Sequence, residues 1–382
     1  MIKKSRQSVT YRSSSEGSAG AASVRKAGIT CAVTICLLFA ACIALTVYVD
    51  PFFHYHRPLP GFPYVVDNQL SQNPGMARNM TYDSFLTGSS MTLNFDTDDF
   101  AQQLGLDMVK LSSNGAYPRD LSNVLSFVFD ERSLSRKTNP VKAAYIALDV
   151  STFTAPPDET KYPQPTYLYD SLLLNDIAYV LNKDVLLQYV LRPIAEREGT
   201  DLSTVYMTEW QTAEYYGEEP VMRGFVPSEA AQVPVPPDTV LPPVQINLAQ
   251  NILPYVDAHQ ETEFVFFFPP YSMLYWYNVE RENRLEAVLA QYRDISEQLL
   301  SRPNVRVFFF PDLEEIVTDL SNYSDYQHYS TQVCQNMVSC FASGVHEITQ
   351  ENLDDVLNGM REIIDRRLPY FDQLVRQYHP DM

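Results

Sequence analysis

The sequence predicts a three-layer α/β/α sandwich carried behind one membrane-spanning N-terminal helix, and three observations lead there. Short apolar runs alternate with longer helix-periodic segments, the order that builds a mainly parallel sheet. Two of those runs, FVFFF and VRVFFF, are apolar without alternation, as strands covered on both faces must be. Finally, Ala27 to Val49 carries no charge and is long enough to cross roughly 30 Å of hydrocarbon as a helix.

Each element follows in chain order. Residues 1–26 form a basic tail, 27–49 the transmembrane helix and 50–79 a connector whose DPFFHYHRPLPGFPY run reads as extended and juxtamembrane, able to lie against the bilayer interface. Residues 80–345 form the α/β domain, interrupted at about 151–243 by an insertion that ends in the Pro-rich VPVPPDTVLPP, a stiff connector; 346–382 form a C-terminal helical segment. Strands are expected at Ser84–Thr87, Met108–Leu111, Ala143–Leu148, Glu263–Phe268 and Val305–Phe310, a flavodoxin-like sheet of five. Helices are expected at Phe95–Leu104, Arg119–Glu131, Ser171–Ala195, Gln245–Ala258, Val279–Leu300, Thr331–Ala342 and Asn352–Leu368.

The composition of the 382 residues bounds the function. With 45% hydrophobic and 12% aromatic residues, global disorder is excluded. The net charge of −19 argues against a nucleic-acid partner, which would need a basic face. That charge is unevenly placed. Lys3, Lys4, Arg6, Arg12, Arg25 and Lys26 against Glu16 leave +5 on residues 1–49, so the remainder carries −24. The basic flank puts the N-terminus in the cytoplasm and the acidic body outside. A cleaved signal peptide is the alternative, with Ala40-Ala41 before Cys42; Phe39 and the apolar Ile43–Val49 stretch speak for an uncleaved anchor. Cys31, Cys36 and Cys42 lie in the apolar helix, and Cys334 and Cys340 are spaced to fall on different faces of one helix, so neither a disulfide framework nor a metal spacing is present. No cofactor is implied.

Two segments carry chemistry. In YDSFLTGSSMTLNF a strand delivers Gly88-Ser89-Ser90 into a tight turn before a helix, which would expose Ser90 at the strand's carboxyl end beside backbone donors. Serine at such a position also serves as an ordinary N-cap. In SNYSDYQHYS, after the last expected strand, Asp325 and His328 come from one turn at the same sheet edge. A serine hydroxyl needs a base to act as nucleophile, and an imidazole oriented by a carboxylate supplies one. Taken singly, either segment is also an ordinary loop.

Gly88-Ser89-Ser90 near the start and Asp325-x-x-His328 near the end resemble the first and last blocks of the SGNH/GDSL hydrolase superfamily, over roughly residues 80–150 and 260–345. With an N-terminal anchor, the chain is most similar to the superfamily's D-alanyl-lipoteichoic acid transfer proteins and alginate O-acetylation proteins. That resemblance implies Ser90 as nucleophile, His328 as base and Asp325 as its orienting acid. The implied activity is a serine esterase or acyl transferase on a cell-envelope polymer, partnered by a membrane-bound O-acyltransferase. The other class is a catalytically weak polymer-binding subunit of the same system.

The chain departs from the family pattern at the oxyanion donors. Gly115 in LSSNGAYP matches the Gly block, but after the third strand Asp149 stands where an Asn donor is expected, leaving the Ser90 amide, Gly115 and Asn114 as candidates. Candidate substrate contacts are Ser89, Asp149, Arg119 for an anionic phosphate, and Tyr271 and Trp276 from the aromatic loop FFFPPYSMLYWYN, whose rings would otherwise pack internally.

Overall fold

The computed structural model describes residues 15–130, 140–209 and 213–380, with side chains from residue 23 onward. The first fourteen residues of the basic tail and the end of the helix expected to reach Glu131 lie outside these. The central sheet has six strands, β1 (Ser84–Thr87), β2 (Met108–Lys110), β3 (Ala143–Ala147), β4 (Glu263–Phe268), β5 (Val305–Phe309) and β6 (Glu347–Ile348), in the order β2-β1-β3-β4-β5-β6. The first five are parallel, in keeping with the FVFFF run of β4; the pairing sets Phe85 beside Val109 and Ala144, and Phe266 beside Ile146 and Val307. The expected five-stranded sheet is therefore corrected to a mixed one. β6 runs antiparallel to β5, pairing Ile348 with Val307, and Arg306 grips the Glu347 carboxylate through two nitrogens. Two residues are too few to leave a period in the sequence.

Both faces of the sheet are covered, and the side chains of β4 and β5 divide between them. Phe268 and Phe309 pack edge-on against Tyr292 on one side, with centroids 4.9 and 5.2 Å away. On the other, Phe267 and Phe308 meet Phe341, and Tyr145 meets Phe100. α1 (Ser15–Val49) stands at the N-terminus, and the longer helices of the body are α2 (Gln69–Asn79), α3 (Thr97–Leu104), α4 (Pro118–Val128), α5 (Pro237–Asn247), α6 (Met273–Arg281), α7 (Leu285–Leu300), α8 (Thr331–Ser343) and α9 (Leu353–Tyr378). α3 stops where Gly105 takes a left-handed cap and α8 where Gly344 does the same. All five cysteines are free thiols, Cys334 buried in α8.

Four expectations change. Val279–Leu300 is two helices, because Asn283 adopts a positive φ of 54° between α6 and α7. The Pro-rich end of the insertion is not a stiff connector but helix α5. Pro237 enters at its first turn, where no amide partner is lost, and Asn247 donates to the carbonyls of Phe153, Ala155 and Pro243. Ser171–Ala195 is not one helix; a short helix, Ile177–Val180, is followed by a second in which the π-helical stretch Val185–Leu191 runs on into Arg192–Glu196, with the Asn182 side chain accepting from Asp184 N between the two. The last helix runs on through Pro369 to Tyr378.

In α1, Ser23–Val49 is long and apolar enough to cross a membrane. The connector after it is not extended. Phe52, Phe53, Tyr64, Val66, Met76 and Ala77 are buried, and α2 occupies its second half. Asp50 organises the junction: its carboxylate accepts from the amides of His54, Tyr55 and His56 and from the Tyr179 hydroxyl at 2.7–3.0 Å. The end of α1 is thus fastened to the insertion by a buried hydrogen-bond network.

Candidate active site

Parallel strands place their carboxyl ends along one edge, and the strand order reverses at β1, which lies between β2 and β3, the point at which open α/β sheets bind their ligands. Gly88 leads out of β1 at a point of close backbone approach: a Cβ at this position would lie 2.7 Å from both Ala147 Cβ and Thr92 Cγ2. Only glycine fits. Ser89 then caps a single 3-10 turn, Ser90–Thr92, its hydroxyl accepting from Met91 N. The helix expected directly after Ser90 begins only at Thr97, so Ser90 heads a short turn. Its amide is among those that a helical start leaves without an internal acceptor.

The loop after β5 brings the remaining groups. Ser90 Oγ lies 2.8 Å from His328 Nε2, and His328 Nδ1 lies 2.6 Å from Asp325 Oδ2. The other carboxylate oxygen, Asp325 Oδ1, accepts from the amides of Gln327 and His328 at 2.7 and 2.8 Å, which fixes the carboxylate plane. Ser324 N closes the turn on His328 O. Burial alone would depress His328, but the hydrogen bond and charge of Asp325, with Asp149 adding, carry it above its ordinary value. Burial likewise opposes ionisation of Asp325, and the bonds from His328 outweigh it and hold its carboxyl low. The arrangement is an ionised acid, a basic imidazole and a hydroxyl in series.

Asp149, at the carboxyl end of β3, is the second carboxyl group of the site. Tyr271 donates its hydroxyl to it. Burial pushes its pKa up to about 6, against the bond from Ser89 and the charge of His328. Tyr271 stacks on Tyr275 at 4.4 Å and so reaches the site through Asp149.

The other sequence-derived candidates make no hydrogen bond to the triad among the described residues. Asn114 exchanges hydrogen bonds with Gln69 of α2, its amide donating and its side-chain oxygen accepting. Gly115 takes a φ of 62° and faces Lys161. Ser113 N donates to Gly88 O, which seats this turn beside the Ser90 turn. Arg119 is half-buried in the first turn of α4, and among the described residues no hydrogen bond or ion pair joins it to the triad. Trp276 is fully buried in α6 against Tyr275 and Tyr292, so it is core and not a substrate contact. The aromatic run reads as an exposed loop, but Ser272 caps a helix there that turns the rings inward.

Sequence reasoning missed the groups that brace the site. Tyr329 donates to Met91 O at 2.6 Å, Tyr323 to Pro270 O at 2.7 Å, Ser272 to Tyr326 O at 2.7 Å, and Asn94 to Tyr329 O at 2.8 Å. Together they tie the His328 loop to the Ser90 turn and to the end of β4. Lys110, fully buried on β2, donates to the carbonyls of Leu93 and Phe95 behind the Ser90 turn. Burial brings its pKa down to about 7. The density of tyrosines in SNYSDYQHYS was the available signal for the braces; nothing local marked Lys110.

The chain matches no family model, no curated protein and no solved structure.

Proposed function

We propose that the protein is a membrane-anchored serine acyl transferase or esterase of the SGNH type, acting outside the cytoplasm on an acylated cell-envelope polymer such as a teichoic acid or polysaccharide. The single observation that carries this reading is the continuous Ser90–His328–Asp325 hydrogen-bond chain at the carboxyl edge of the sheet. The +5 head and −24 body on either side of an apolar helix support the orientation.

In this reading Ser90 Oγ attacks an acyl carbonyl while His328 Nε2 takes its proton. The oxyanion forms beside the Ser90 amide, with Gly115 as the second candidate donor. Collapse breaks the bond to the leaving alkoxide, which recovers the proton from His328, and leaves an ester on Ser90. A second hydroxyl, from water or from a polymer, loses its proton to His328 and takes the acyl group; the bond to Ser90 Oγ breaks, and Ser90 recovers the proton from His328. Throughout, Asp325 holds the imidazolium.

One observation favours the alternative of a weakly catalytic polymer-binding subunit serving a membrane-bound O-acyltransferase. Above pH 6 the buried Asp149 is a carboxylate, which donates nothing to an oxyanion. Hydrolysis of p-nitrophenyl acetate separates the two. The acyl-transfer reading expects turnover by the wild type that falls to the uncatalysed rate in both Ser90→Ala and His328→Ala. Equal turnover by wild type and Ser90→Ala would leave the binding reading.

A further inference from the structure

The insertion presents an apolar surface that the proposed chemistry does not use. Between residues 171 and 194 the side chains of Leu172, Leu173, Leu174, Ile177, Leu187 and Ile194 are each about half exposed or more, Leu174 reaching 85%. Residues 187, 191 and 194 recur at helical spacing. A soluble surface seldom concentrates so much exposed leucine in one short segment. Its inward side is well made: Leu168, Tyr179, Val180 and Val185 form a small core with Phe52, separate from the main one. The leucines are therefore exposed by a fold that is otherwise satisfied.

The position of this segment identifies what covers it. Ile43 and Val47, in the last turns of α1, pack onto that same small core, and α1 contacts both Ile177–Val180 and Val185–Leu191. Ile43 is six residues before the end of the helix, roughly 9 Å along its axis. The apolar stretch Ser23–Val49 is roughly 40 Å long, more than the roughly 30 Å of a hydrocarbon core, so its last turns fall at the boundary between headgroups and acyl chains. Interfacial segments bury their apolar faces to a depth of about 5–10 Å at that level. Charge fits as well. In a body of net −24, residues 171–197 are neutral: Lys183 pairs with Asp184 and Arg192 with Glu196 at the surface, Arg197 is exposed and Asp176 is buried. Tyr48, exposed at the end of α1, is the residue type that favours this boundary.

We propose that residues 171–194 form a monotopic membrane-interface patch, in which Leu172–Leu174, Ile177, Leu187 and Ile194 enter the outer leaflet beside the anchor and fix the distance of the Ser90 site from the bilayer. The proposal rests on the reading of α1 as a membrane anchor and of the body as extracytoplasmic. It is independent of whether Ser90 is a nucleophile.

The test uses the full chain in nanodiscs of phosphatidylcholine and phosphatidylglycerol in which the phosphatidylcholine acyl chains are brominated to quench nearby tryptophan. Leu173→Trp and Leu187→Trp report on the patch, Phe39→Trp on the anchor, and Val345→Trp, at an exposed position in the turn before β6, on the bulk surface; thermal melts check that each variant folds. The expected result is loss of the added emission in L173W, L187W and F39W and none in V345W. Quenching of F39W without L173W or L187W overturns the proposal while the anchor stands, and would assign the patch to a protein partner. Equal quenching at Val345 overturns it as non-specific contact. Absence of quenching at Phe39 removes the anchor and the proposal with it.

Discussion

Replacing Asp325 by Asn tests the triad most informatively, because the structure says which bonds survive. The Asp325 oxygen that accepts from Gln327 N and His328 N at 2.7 and 2.8 Å can be replaced by the amide oxygen of Asn, which holds the side chain in place. The amide nitrogen then occupies the other oxygen's position, 2.6 Å from His328 Nδ1. An N–H there cannot meet a second N–H, so the ring changes tautomer and its Nε2 carries the proton. Nε2 then donates to Ser90 Oγ, 2.8 Å away, and can no longer take its proton. The loss expected of a carboxylate-to-amide change in a Ser-His-Asp triad is about 10⁴ in kcat, or about 5.4 kcal/mol of transition-state stabilisation. Because the backbone bonds are kept and the ion pair is half exposed, folding stability changes by about 1 kcal/mol at most. Steady-state hydrolysis of p-nitrophenyl acetate beside a thermal melt reads both. A variant that melts like the wild type and retains activity within about tenfold would refute a general-base role for His328.

Three further outcomes follow from the site. Asp149 has a folded pKa of about 6, above its ordinary 3.8, so the folded state binds its proton more tightly and stability falls as pH rises from about 4 to about 6. The cost above that window is on the order of 3 kcal/mol. Asp149→Asn therefore raises the melting temperature at pH 7.5 and leaves it unchanged at pH 4. It also moves the acidic limb of the pH–rate profile downward, because Asp149 helps hold His328 protonated. A limb that stays put would separate Asp149 from His328. Gly88→Ala forces a methyl into contacts of 2.7 Å with Ala147 and Thr92, and is expected to cost about 1–3 kcal/mol by denaturant unfolding. Wild-type stability in that variant would contradict the close approach that shapes the Ser90 turn.

The five parallel strands were legible as short, mostly apolar runs, clearest in FVFFF of β4, which is covered on both faces, and their observed ends differ from those expected by at most one residue. Ser90, Asp325 and His328 were legible because strand order alone sends the carboxyl ends of β1 and β5 to one edge. What the sequence hid depends on contacts between distant residues. β6 is two residues long and exists through its pairing with β5 and the Arg306–Glu347 pair. The connector looked extended because Pro and aromatic residues dominate it, whereas Asp50 folds it through three consecutive amides and Tyr179, over a hundred residues away. Trp276 looked like a binding ring because its burial is set by Tyr275 and Tyr292. The insertion's apolar residues read as one helix, whereas the chain is interrupted at Asn182, and Leu172–Leu174 and Ile177 ahead of that interruption are exposed.

The central claim is that His328 activates Ser90. Incubation of the full chain with a fluorophosphonate, followed by peptide mapping, measures that activation directly. A working triad gives one phosphonylated serine, Ser90, whose labelling rate rises with pH as His328 loses its proton, and gives no labelling of Ser90 in His328→Ala. Labelling of Ser90→Ala to the same extent as the wild type, or labelling of Ser90 that is indifferent to His328, would contradict it.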